Sequence, residues 1–161
     1  MLLVVEGIVM CFVLLIICVI GIANGPVGLV VFYEQEVKDR VVALGLTTRD
    51  RIKKTSAITM TALFVPTLIL VPYMVYGING ASGFREGFWQ MLVILMISGL
   101  FDRLFIDCWW VGHTKAWIIP GTEDLVPYIY GKTLVKKWVG TLVGFPTLAA
   151  VLAGLMQILM R

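Results

Sequence analysis

The residues with chemistry to offer crowd into one stretch: Ser98-Gly99-Leu100-Phe101-Asp102-Arg103-Leu104-Phe105-Ile106-Asp107-Cys108-Trp109-Trp110-Val111-Gly112-His113. Two carboxylates, a guanidinium and the only histidine of the chain fall within it. At about 100° per residue of α-helix, Ser98, Asp102, Trp109 and His113 share one stripe, and Arg103, Asp107 and Trp110 the next. Leu100, Leu104, Cys108 and Val111 occupy the other side. Arg103 and Asp107 are four apart and can pair on the helix surface. Asp102 then lacks a partner on its own stripe unless Arg103 bends toward it. Such a set suits a binding site in which Arg103 pairs an anionic group and Asp102 carries a proton or a cation. His113 would add a group that titrates near neutrality.

The elements that hold this stretch are set by composition. Of 161 residues, 60% are hydrophobic and 14% charged, against about 25% charged in soluble domains. A chain this short cannot bury that much apolar surface in water. A bilayer core of about 30 Å asks for about 20 apolar helical residues. Four segments qualify: 2–32, interrupted by Glu6 and broken at Asn24-Gly25-Pro26, then 56–77, 87–110 and 138–160. The expected fold is an all-α integral membrane protein, a single domain over 1–161 with four transmembrane helices.

Orientation follows from Lys and Arg, which concentrate on the cytoplasmic side. The segment 33–55 carries Lys38, Arg40, Arg49, Arg51, Lys53 and Lys54, and 111–137 carries Lys115, Lys132, Lys136 and Lys137. The other side has Arg85 and Arg161. Both termini are therefore expected outside a cell membrane. An aromatic belt would place Trp109, Trp110, Trp117 and Trp138 at the inner boundary and Tyr73, Tyr76, Phe88 and Trp89 at the outer one.

Both basic loops read as structured. Thr47 and Asp50 have capping-box spacing, so the second long helix should begin near Arg49. Val37, Val41, Leu44 and Leu46 among charges suggest a short interfacial helix. Thr122 would cap a helix that opens with Glu123 and Asp124. Leu125 to Tyr130 would lie on the membrane or fold back on the bundle.

Depth then gathers the candidates. With each span centred on the mid-plane, Asn24, Thr59, Thr61, Asp102, Thr141 and Gly144 fall at one level, nearer the cytosol. The ring of Pro26 frees the carbonyl of Ile22 beside Asn24. The expected ligand site is a cytoplasm-facing pocket of Asn24, Asp102, Arg103, Asp107, Trp109 and His113. Thr59, Thr61, Glu123 and Asp124 are secondary candidates. Plainer roles stand beside these. Arg and Asp near a boundary anchor helices by snorkelling, His113 can be an interfacial neighbour of Lys115, Glu123 and Asp124 can simply cap, and Glu6 reads as a solvated helix end. Cys11, Cys18 and Cys108 sit in apolar runs with no C-x-x-C pair, and one histidine is a poor nucleus for a metal site. No metal is expected and no cofactor can be named. Gly21/Gly25, Gly140/Gly144 and Ala149/Ala153 are small-residue seams that would pack helices or a second copy of the chain.

The expected function is binding or transport of a polar or amphipathic ligand, or of a proton. The alternatives are an enzyme acting on a lipid-like substrate and a non-catalytic subunit of a membrane complex. The bilayer and a small-molecule or lipid ligand are the expected partners; nucleic acid is not. The layout resembles that of the small membrane-bound glutathione enzymes (the MAPEG family). That family bears an acidic motif with Arg and Asn on its second span, whereas 56–77 has no charge, so no activity is carried over.

Overall fold

The computed structural model describes residues 1–160, which form helices and the turns between them. Arg161 lies outside the described residues. The helices are α1 (Leu2–Ile22), α2 (Gln35–Ala43), α3 (Arg49–Pro72), α4 (Gly83–Phe101), α5 (Gly131–Val139) and α6 (Phe145–Leu159). Three of the long ones run through π-helical stretches, in which the backbone bonds from i to i+5. α3 continues through Tyr73–Ile78, α4 through Asp102–Val111, and α5 joins α6 through Gly140–Gly144. Two of these stretches adjoin prolines, Pro72 and Pro146, whose missing N–H breaks the ordinary ladder.

Leu2–Ile22, Arg49–Ile78 and Gly131–Leu159 are each long and apolar enough to cross a membrane. α4 is the helix around which the others pack, with its largest contacts to α6 and α1. Small residues let them approach. A side chain on Gly7 would meet Ile97, and one on Gly99 would meet Phe145 and Thr141.

The apolar run 2–32 breaks at Asn24-Gly25-Pro26, as the sequence leads one to expect. α1 stops at Ile22, and Pro26–Phe32 forms a separate 3₁₀ segment. Between them Gly25 takes φ 104°, a left-handed angle that favours glycine. The segment then doubles back, because Leu29 packs on Gly21 and a Cβ at Gly28 would strike the Gly21 carbonyl.

α3 does begin at Arg49, but its cap is Thr48, whose hydroxyl accepts from the Arg51 N–H at 3.2 Å. Thr47, the residue expected to cap, is buried instead. The short helix expected among the charges is α2. Its Val37 and Val41 are wholly buried, whereas Leu44 and Leu46 are exposed.

Two apolar cores result. One holds Met10, Val75, Met91, Ile94, Leu95, Ala149 and Ala153 between the long helices. The other is built where the loops fold in, from Leu29, Tyr33, Val37, Val41, Ile106, Trp117, Ile119 and Tyr128. The loops thus make a packed cap over one end of the long helices. Tyr128 ties it, donating at 2.8 Å to the Thr122 hydroxyl oxygen and accepting from the Ile119 N–H at 2.8 Å. Thr122 is wholly buried and donates to the Ile119 carbonyl, so it does not cap the three-residue turn Glu123–Leu125. Trp117 and Tyr76, expected at the aromatic belts, are both buried.

Candidate functional site

A cavity of about 700 Å³ lies between the two cores, walled by α1, α3, the α4 rod and the α5–α6 rod. Its character changes along its length. Val13, Ile17, Leu63, Phe64, Leu148 and Val151 line the apolar part; Asp102, Arg103, Asp107 and Lys137 gather at the capped end with Tyr33 and Trp117. Pockets of roughly 300–1,000 Å³ with mostly apolar walls and a few placed polar groups are the usual form of a small-molecule site.

The charged residues make one network. Arg103 contacts the carboxylates of both Asp102 and Asp107. The second oxygen of Asp107 accepts from Lys137 Nζ at 2.7 Å. Two anions and two cations therefore share this end, and their charges cancel. Lys137 also lies 5.2 Å from the centre of the Phe32 ring, within cation–π range.

The π-helical register is what assembles this network. In an i→i+5 ladder each turn holds more residues, so positions five apart come together. Asp102 and Asp107 thereby share a face with Arg103, Ile106 and Val111, all of which line the cavity. The α-helical stripe joining Asp102 to Trp109 and His113 does not form. Trp109 is exposed, tilted against the Phe105 ring, and does not line the cavity. His113 is exposed too, its Nδ1 2.8 Å from the Cys108 carbonyl.

The remaining candidates divide. Thr59 is buried and lines the cavity with Ser98, Thr141 and Gly144. Thr61 is exposed on α3, and Asn24 is exposed in the turn after α1. Neither lines the cavity. Asp124 pairs with Arg40 at 3.4 Å, and Glu123 accepts from the Gly121 N–H at 2.9 Å. Both belong to the surface of the cap.

Three participants escaped sequence reading. Lys137 counts in the sequence only as a basic residue of 111–137, Trp117 as a boundary aromatic, and Tyr33 as no more than the first residue of 33–55. Their one sequence signal is position, since each sits in a loop or helix start bordering an apolar run. Burial pushes the Tyr33 phenol above its ordinary range, and Tyr128, Cys18 and Asp107 add to the shift, so it stays a neutral donor. Next to it, Glu34 holds the cap to α5. Its carboxylate accepts from the Thr133 N–H at 2.9 Å, and the Thr133 side chain and backbone keep it below the usual carboxylate range.

The cavity has an opening in its wall. α3 and α6 touch only slightly. Between them, Met60, Phe64, Gly144, Thr147 and Val151 line the cavity while remaining exposed. A side chain placed on Gly144 would meet nothing.

A second polar cluster lies at the uncapped end. Glu6 is buried rather than solvated, and Asn79 Nδ2 donates to it at 3.0 Å and to Gln90 Oε1 at 2.9 Å. The small-residue seams also part company. Ala149 and Ala153 are buried against the other helices of the same chain, and Gly21 is covered by Leu29. Gly140 and Gly144 face open space.

No family model, curated protein or solved structure matches this chain.

Proposed function

We propose that this is a membrane protein that binds an amphipathic, lipid-like ligand, with the ligand's polar end under the cap and its apolar part along α1, α3 and α6. The observation that carries this reading is a single cavity, apolar through most of its length, with the charges of Asp102, Arg103, Asp107 and Lys137 gathered at one end. A soluble polar ligand would leave the apolar walls unused. A proton alone would need no cavity of this size.

In this reading all four long helices cross the bilayer, with both termini outside the cell. The basic residues of 33–55 and 111–137 favour it, since they border the cap and would stay in the cytosol. The opening between α3 and α6 then faces lipid, and a ligand enters sideways from the membrane. Holding the ligand and handing it on use the same cavity, so binding is the primary activity and transport a consequence of it. The enzyme alternative asks His113, Glu123 and Asp124 to work with Asp102, and none of those three lines the cavity.

A blocked doorway tests the reading. Gly144→Trp puts a large side chain at the opening, where a Cβ meets no neighbour. Gly154→Trp adds the same bulk where a Cβ also meets nothing, at a position that does not line the cavity. After purification in mild detergent, native mass spectrometry is expected to find a lipid-like molecule retained by the wild type and by Gly154→Trp, and lost from Gly144→Trp. Equal occupancy in all three, or none in any, overturns the proposal.

A further inference from the structure

Three buried side-chain donors have no hydrogen-bond partner among the described residues: Arg103 Nε, the Tyr33 hydroxyl and Trp117 Nε1. Their residues are 8%, 1% and 2% exposed, and all three line the capped end of the cavity. A buried donor left unpaired costs about 1–3 kcal/mol, and native proteins keep few of them. The other buried orphans among the described residues, Glu6 Oε1 and Asn79 Oδ1, are acceptors and belong to the opposite end. The capped end therefore holds three unspent donors, and its one unspent buried acceptor is the oxygen of the same Tyr33 hydroxyl.

Charge narrows the choice. Asp102, Arg103, Asp107 and Lys137 are paired among themselves with no charge left over. An ionised headgroup placed beside them would be desolvated with no free counter-charge to meet it. An uncharged oxygen acceptor meets the donors without that penalty. An ammonium would find only the Tyr33 hydroxyl oxygen to accept from it and would leave Arg103 Nε and Trp117 Nε1 unpaired.

We infer that the ligand's polar end is uncharged and bears acceptor oxygens, as in an ester, ketone or quinone, rather than a phosphate, carboxylate or amine. This inference rests on the reading that the cavity holds an amphipathic ligand, and it names the chemistry of that ligand's head. Tyr33 and Trp117 belong to the cap and Arg103 to the α4 rod, so the head bridges cap and bundle.

Probes that share one long alkyl tail separate the possibilities. A methyl ester, a sulfonate, a primary ammonium and the plain alkane are titrated against the full-length protein in nanodiscs at neutral pH. The ester is expected to bind at least about tenfold tighter than either charged probe. Tyr33→Phe and Trp117→Phe should each weaken the ester about three- to tenfold, the worth of one hydrogen bond. They should leave the alkane unchanged. Because Tyr33→Phe removes an unpaired hydroxyl, its thermal stability without ligand should not fall, which keeps the binding result readable. Tightest binding by the sulfonate or the ammonium, or an ester no better than the alkane, overturns the head assignment and leaves the cavity reading standing. No binding by any probe overturns both.

Discussion

Asp107 is the residue on which the charged end depends. It accepts from Arg103 through one oxygen and from Lys137 through the other, and it is 7% exposed. Removing one member of a buried ionic network strands its partners and typically costs about 3–5 kcal/mol. Asp107→Asn is expected to lose that much, because Lys137 loses its anion outright and Arg103 keeps only Asp102. Lys137→Met should lose less, since Arg103 still serves Asp107. Thermal unfolding of both variants in one detergent checks the order, and a Lys137→Met protein less stable than Asp107→Asn would refute it. Part of this network was legible in the chain. The spacing of Arg103 and Asp107 predicts their contact, and the bend of Arg103 toward Asp102 was foreseeable. Lys137 was not, since it stands thirty residues beyond Asp107 and only packing of α5 against the α4 rod unites them. Glu6 misled in the opposite direction. A carboxylate near a helix end reads as solvated, and here Glu6 is buried and accepts from Asn79, which also donates to Gln90.

Among the helices, the π-helical continuation of α4 decides the site. Counting at the α-helical angle puts Trp109 and His113 beside Asp102; the wider turn turns them outward and brings Asp107 in. Nothing local to Asp102–Val111 announces this register, because no proline or glycine falls within it. Close approach at Gly99 holds the α4 rod in place. A Cβ there would lie 2.8 Å from Phe145 Cδ2 and 2.9 Å from Thr141 Cγ2. Gly99→Leu should therefore overpack the junction of α4 with the α5–α6 rod and cost about 1–3 kcal/mol. Gly144→Leu should cost little, because its Cβ meets no neighbour. Denaturation in the same detergent measures the difference, and equal losses would show that Gly99 does not set the spacing.

The molecule is layered along its long axis: a polar cluster at Glu6, an apolar core, the cavity, the charged network and the cap. On the proposed topology the cap lies in the cytosol and Arg85 outside. With Cys11, Cys18 and Cys108 replaced by alanine, a single cysteine at Lys53 should resist an impermeant maleimide in intact cells, and one at Arg85 should react. The same side for both would remove the four-span arrangement and, with it, sideways entry from the membrane as drawn here.

The sequence by itself determined the helices and their apolar character. Those properties are local, set by runs of nonpolar residues and by the caps and breaks at Thr48, Gly25 and Pro26. It also marked Asp102, Arg103 and Asp107 as the place to look, since charge in an apolar run needs a reason wherever the chain folds. Tertiary structure decided what they do there. It doubled the segment after Gly25 back on α1, folded Tyr33 and Trp117 into a cap, brought Lys137 to Asp107 and left α3 and α6 only lightly in contact. Each of these joins residues distant in the chain, and such contacts depend on how whole helices pack rather than on the preferences of any one segment.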